Sequence, residues 1–270
     1  MTGLKSTVGP KSAVSLVREV RRGTSDKRPL AVAGARELVP LLARELRAGG
    51  DPSAVVEQEV DGAVALIWVG AADEDRLRAA DRARIPIVAV TDAETVPYVL
   101  ADDLVHIEPG HGFPIDEISA AVARRLGDDA LGLAARLPVL RRALAGHLIR
   151  TTSRRNGLIG MAVFIPGVDM PILTFNQVRL VLRLAIAHGE QLDRNRAFEL
   201  AGVVGAGFGF RAIARTLLDF VPLAGWAVKG AIAYTGTRAI GEAAVRYFDA
   251  RSDDATPSGP GPTLSETDGR

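Results

Sequence analysis

Two uninterrupted apolar runs, AVALIWV at residues 63–69 and IPIVAV at 85–90, constrain the fold of this chain more than any other feature. Each has the length of one strand. Neither shows the alternating polar positions of a strand with one wet face, so both must be covered on two sides. Residues 75–84 between them are helix-like and charged on one face. A strand, a helix and a second doubly covered strand make a parallel unit, because parallel neighbours need a crossover connection. Residues 29–33 and 104–107 read as two further short strands. After the first, Leu38, Leu41, Leu42 and Leu46 recur at helical spacing, with Pro40 in the first turn and Gly49 at the end. After the last, residues 116–126 read as a helix with Ile115, Ile118, Ala121 and Val122 on one face. The expectation is an α/β, Rossmann-like parallel sheet of about four strands over residues 29–127.

The second half differs in kind. Residues 130–249 contain no strand pattern and read as an all-α domain of four to six helices. Pro138 opens one helix, and Pro166-Gly167 breaks the next segment. Thr174 and Gln177 have capping-box spacing before a helix over 178–187, and Asp193 can cap another. Pro222 precedes a last helix over about 225–248. Flanking these domains, residues 1–28 read as a flexible arm, with a short helix at 13–20, and residues 250–270 as a disordered tail rich in Pro, Gly, Ser and acids.

Composition narrows the chemistry. Zero cysteines exclude thiolate metal sites, disulfides and a cysteine nucleophile. A net charge of +1 gives no global reason to expect nucleic acid. The first twenty residues lack the apolar stretch of a secretory signal, so a cytoplasmic location is the default expectation. His106, Glu108 and His111 share a loop but fit no metal spacing, and His147 and His188 stand alone on helices. Ser119 and Ser153 have neither an elbow nor a base, and Asp102-Asp103 and Asp128-Asp129 read as solvated loop acids. The GAGFG run at 205–209 lacks a preceding strand and reads as helix packing rather than a dinucleotide loop. A phosphate loop after the first strand would need a glycine turn ending in lysine. The chain has Gly34-Ala35-Arg36-Glu37 there, and no lysine between Lys27 and Lys229.

Two features point outward from the helical half. Between residues 130 and 168 there is no acid, while Arg136, Arg141, Arg142, Arg150, Arg154 and Arg155 lead into an apolar stretch from 157. Basic residues beside an apolar segment suit an anionic lipid surface on the cytoplasmic side, the alternative being that they pair with acids from elsewhere in the fold. We take Arg141, Arg142, Arg150, Arg154 and Arg155 as the candidate surface, although they do not segregate to one helical face. Gly202, Gly205, Ala206, Gly209, Gly230 and Gly241 are candidate helix-packing positions, since small residues four apart let backbones approach. No run of 18 uncharged apolar residues exists. Arg211, Arg215 and Asp219, like Arg238, Glu242 and Arg246, put a charged stripe on each candidate span. A helical hairpin across 200–234 is the integral-membrane alternative.

The segment AVALIWVGAADEDRLRAADRARIPIVAVTDAE, with LVHIEPGHGFPIDEISAAVARRL after it, resembles the second half of an Era-like GTPase domain. Under that resemblance Thr91, Asp92, Ala93 and Glu94 stand where the guanine-reading NKxD motif would be, and Glu108, Pro109 and Gly110 where the SAK-type loop would be. It implies a pseudo-GTPase that keeps the frame and has lost the nucleotide contacts. Residues 157–248, with FIPGVDMPILTFNQVRLVLRLAIAHG, VVGAGFGFRAIARTLLDFVPLAGWAVKGAIAY and TRAIGEAAVRYF, resemble the bacterial domain-of-unknown-function family 697. That resemblance implies a GTPase-associated helical module with no assigned catalysis. The functional expectation is a non-catalytic interaction or scaffold protein without cofactor. Its expected partners are a protein such as a GTPase, an anionic membrane surface, or a second copy of the chain. A divergent nucleotide hydrolase is the enzymatic alternative.

Overall fold

The structure is a computed structural model that describes residues 25–108, 110–162, 169–190 and 226–254. Five strands form one parallel sheet: β1 (Leu30–Gly34), β2 (Val55–Glu57), β3 (Ala65–Val69), β4 (Ile87–Thr91) and β5 (Leu104–His106), in the order β2-β1-β3-β4-β5. The Rossmann-like sheet read from the sequence is present, with one more strand than expected. The additional strand, β2, is a three-residue edge paired to β1 through Leu30–Val55, Ala31–Val56 and Val32–Glu57.

Strand alternation sorts the apolar runs onto two faces. Leu30, Val32, Ile67, Val69, Val88 and Val90 enter one core, and Ala31, Ala33, Leu66, Trp68, Ile87 and Ala89 the other. The helices follow from handedness. The chain leaves β1 toward one edge and leaves β3 toward the opposite edge, so right-handed crossovers must lie on opposite faces. Helix α1 (Leu38–Leu46) accordingly buries Val39, Leu42, Ala43 and Leu46 on the first face. Helix α2 (Glu74–Arg82) buries Leu77 and Ala80 on the second. The α1 stripe differs from the expected one: Leu41 is 46% exposed, and Val39 and Ala43 take the inward positions.

Helix α3 (Ile115–Leu126) crosses back to the first face, where Ile118, Ala121 and Val122 are buried as read from their spacing. Short α4 (Leu131–Arg136) leads to α5 (Pro138–Ala162), whose first residue is a proline where the missing N–H costs nothing. Helices α6 (Asp169–Ala187) and α7 (Trp226–Asp254) pack with α5. Thr174 therefore lies inside α6 rather than at its start. Gln177, its expected capping partner, donates from Nε2 to Thr237 Oγ1 on α7 at 3.3 Å. Residues 250–254, expected as tail, continue α7. The expected helix at 13–20 and positions Asp193, Gly202, Gly205, Ala206, Gly209, Arg211, Arg215, Asp219 and Pro222 lie outside the described residues.

One apolar cluster runs from Leu30 in β1 through α3 and α5 to Phe248 in α7. Arg136 ties the joint between α4 and α5 to the amino end of the sheet. Its Nη2 donates to Arg28 O at 2.6 Å, and the Asp51 N–H donates to Arg136 O at 2.9 Å. Inside the bundle, Asn176 Nδ2 donates to Asn156 Oδ1 at 2.7 Å and Asn156 Nδ2 donates to Thr237 Oγ1 at 2.9 Å, crossing all three helices. These polar groups are buried and mutually satisfied, which fixes the helix register.

Helices α5 and α7 touch through backbone. A Cβ on Gly230 would lie 2.9 Å from Gly157 O and closer still to the Met161 side chain, and one on Gly160 would lie 3.0 Å from the Ala233 Cβ. At Gly241 it would meet Ile149 Cγ1 at 2.6 Å. Gly236, on the same helix, has nothing within 4 Å. Gly230→Ala should therefore lower stability in urea unfolding, because overpacking costs about 1–3 kcal/mol against roughly 1 kcal/mol of helix propensity gained. Gly236→Ala gains the propensity alone and should be stabilising by up to about 1 kcal/mol. Equal stability of the two variants would refute the close approach.

Candidate functional site

In an open parallel sheet, ligands settle at the carboxyl ends of the strands where connections diverge, here between β1 and β3. In this protein the parallel ladders continue one rung past the strand ends. The Ala35 N–H donates to Val69 O at 2.9 Å, joining the loop after β1 to the end of β3, and the Gly70 N–H donates to Val90 O at 2.8 Å. Gly34, at φ +125°, permits this contact, since a Cβ there would lie 2.1 Å from Val69 O. A Cβ on Gly70 would sit 3.0 Å from the Ala35 Cβ, so the two loops pass close to each other.

A second set of contacts lies on the β2 side. Gln58 adopts a left-handed φ of +62°. Its N–H donates to Val32 O at 2.8 Å, and its Nε2 donates to Gly34 O at 3.2 Å. Arg76 on α2 then donates from Nη1 to Gln58 Oε1 and from Nη2 to Gln58 O, both at 3.1 Å. The same guanidinium stacks 5.1 Å from the centre of the Trp68 ring, whose Nε1 donates to Ala71 O at 2.9 Å. Neither Gln58 nor Arg76 was a sequence candidate. Arg76 sits in a run of charges, and nothing local distinguishes it from Arg78.

Thr91, Asp92 and Glu94, expected from the Era-like resemblance to replace the guanine motif, lie at the end of β4 and in the loop after it. Thr91 is buried, and its Oγ1 accepts from the Ala93 N–H at 3.2 Å, while Asp92 and Glu94 are exposed. Glu108 and His111 are exposed neighbours, with 3.6 Å between Oε2 and Nδ1. No group of residues that could hold a metal ion occurs among the described residues.

The arginines of α5 have separate fates. Arg141 is structural: its Nε donates to Ala134 O at 3.2 Å and its Nη2 to Ala135 O at 3.3 Å, satisfying the carbonyl end of α4. Burial pulls its guanidinium below the ordinary arginine range, with Asp249 opposing the shift. Arg142 turns toward α7 and lines a cleft. Arg150, Arg154 and Leu158 follow at i, i+4 and i+8 on the solvent side, with Arg155 beside them. Leu158 is 65% exposed. These three arginines hold no hydrogen bond or ion pair with any described residue. The outer half of α5 thus carries Arg150, Arg154 and Leu158 along one exposed face, while Arg141 and Arg142 are directed elsewhere.

Other sequence candidates turn out to be structural. Asp103 is buried rather than solvated. Burial raises its carboxyl above the usual range, with Arg125 opposing at 3.5 Å. Asp128 bridges to Arg183 on α6 at 2.6 Å. Ser119 and Ser153 are buried, and their hydroxyls hold no hydrogen bond. His188 is buried against Asp249.

No protein-family model, no curated protein and no solved structure matches this chain. No helix among the described residues is long and apolar enough to cross a membrane.

Arg76 and Arg78 provide an internal control for the contacts at Gln58. Arg76→Ala removes two hydrogen bonds and the stack on Trp68 and should cost about 1–3 kcal/mol of stability in denaturant unfolding. Arg78 pairs with Glu74 and Asp75 in solvent. Arg78→Ala should stay within about 0.5 kcal/mol of the parent.

Proposed function

We propose that this protein is a non-catalytic interaction module, a pseudo-GTPase frame carrying a helical domain, that docks on an anionic membrane surface at the cytoplasmic face. The exposed Arg150, Arg154, Arg155 and Leu158 face of α5 carries the reading, because three unpaired cations beside an exposed leucine suit anionic headgroups over acyl chains. The loop after β1 supports the non-catalytic part, since Gly34-Ala35-Arg36-Glu37 offers neither the glycine turn nor the lysine that holds a nucleotide phosphate. A GTPase as protein partner rests on the family resemblance of the helical half.

Vesicle flotation tests the membrane reading. The protein should float with vesicles containing a third phosphatidylserine and stay down with neutral vesicles. Arg150→Ala/Arg154→Ala/Arg155→Ala should weaken partitioning about a hundredfold, at about 1 kcal/mol per basic residue near the surface. Raising salt should release the parent protein, because screening shortens the reach of exposed charges. Equal flotation of parent and triple variant rejects the proposal. In parallel, GTP and GDP at millimolar concentration should leave the melting temperature unchanged, and a saturable rise with either would restore the hydrolase alternative.

A further inference from the structure

A cleft of about 690 Å³ opens between the first half of α5 and the last half of α7, a size suited to a small organic ligand. The glycine contacts set its geometry. Gly157 lies against Gly230 and Ile149 against Gly241, so the helices run antiparallel. Continued toward the start of α5, that register brings Ala145 level with Val245, Arg142 level with Arg246 and Pro138 level with Ser252. All six residues line the cleft.

Two arginines facing each other across a cleft repel unless something negative lies between them. Arg142 and Arg246 are both exposed, and neither holds a hydrogen bond or ion pair with a described residue. The two carboxylates nearby are engaged elsewhere. Glu242 accepts from Arg238 Nε at 2.7 Å, and Asp249 lies 3.1 Å from His188 Nε2. The His188 Nδ1 is 2.6 Å from Leu184 O and must donate to it, since a carbonyl only accepts. The inner end of the cleft sets the Asp249 carboxylate against His188 with the half-buried Arg141 behind it, so three arginines and two engaged carboxylates line the site.

We propose that this cleft binds the phosphate monoester of a small soluble molecule, with Arg142 and Arg246 gripping the phosphate from opposite helices. A dianionic group matches two guanidinium forks, each able to make paired charge-assisted hydrogen bonds. Ala145, Ile149 and Val245 form an apolar floor for the body of the molecule. Arg154 and Arg155 lie outside the cleft lining, whereas Arg150 Nη1 reaches Gly146 on its rim, so Arg154 separates failure of this site from failure of the membrane face.

Calorimetric titration of the full chain with phenyl phosphate tests the proposal. Saturable binding is expected, weakened at least about tenfold by Arg142→Gln and by Arg246→Gln, because each variant removes charged hydrogen bonds. Both side chains are exposed, and unchanged melting temperatures will show that the variants fold. Arg154→Gln makes the same charge change on the outer face of α5 and should leave the affinity within twofold. Inorganic phosphate, lacking an apolar body, and benzoate, with a single charge, should both bind more weakly than phenyl phosphate. Absence of saturable binding, equal loss in Arg154→Gln, or equal affinity for benzoate or inorganic phosphate would overturn the proposal. So would flotation with phosphatidate vesicles that depends on Arg142 and Arg246 while phenyl phosphate fails to bind, since the phosphate would then be a lipid headgroup.

Discussion

Helix α3 is pressed between two layers, with β4 and β5 on one side and α5 on the other. A helix lying on a single layer needs an apolar stripe about 100° wide. The buried set of α3 is wider, taking in Ile118, Ser119, Ala121, Val122, Ala123 and Leu126. Small residues at 119, 121 and 123 let it approach both layers. Through it the sheet core and the bundle core are one cluster, from Leu30 to Phe248. Fully burying a leucine, valine or isoleucine is worth about 1.5–3 kcal/mol, so this shared core is the largest favourable term holding the layers together. The bundle is correspondingly part of what stabilises the sheet.

The same rule of direct backbone contact operates at the carboxyl edge of the sheet and at the crossing of α5 with α7. At the edge, Gly34 lets the loop after β1 bond to β3, and Gln58 and Arg76 add further hydrogen bonds. At the crossing, Gly157, Gly160 and Gly230 bring the helices together at one end. Arg142 and Arg246 line a cleft toward the other end, between two helices, where binding sites in bundles commonly lie.

Much of this was legible in the residues. Runs such as ALIWV and IVAV have no polar position to misassign, so strand and two-sided burial follow from the letters alone. Strand β2 has three residues, too few for any periodicity, and exists because β1 offers it an edge. The α1 stripe was misplaced because leucine bulk drew attention to Leu41. The crossover geometry instead turned Val39 and Ala43 inward. Thr174 and Gln177 imitate a helix start, yet the N-cap test concerns only local hydrogen bonds, and Gln177 is used across helices. His188 with Asp249, and Arg76 with Gln58, are pairings of residues distant in the chain. They leave no local signature.

The arginines of α5 point in different directions because the helix changes partners along its length. Leu140, Leu144 and Leu148 in the first half enter the core shared with the sheet, whereas Asn156, Gly157 and Gly160 in the second half face α6 and α7. A helix that changes partners along its length changes its outward face as well. Arg142 therefore ends in a cleft and Arg154 in open solvent, although both belong to one acid-free stretch. Twelve residues of helix separate them, about 18 Å along the axis, which is more than twice the screening length of roughly 8 Å at physiological salt. Charges that far apart across solvent act almost independently. One basic run can thus serve two surfaces, and charge counted along the sequence cannot divide them without the helix contacts that set each arginine's direction.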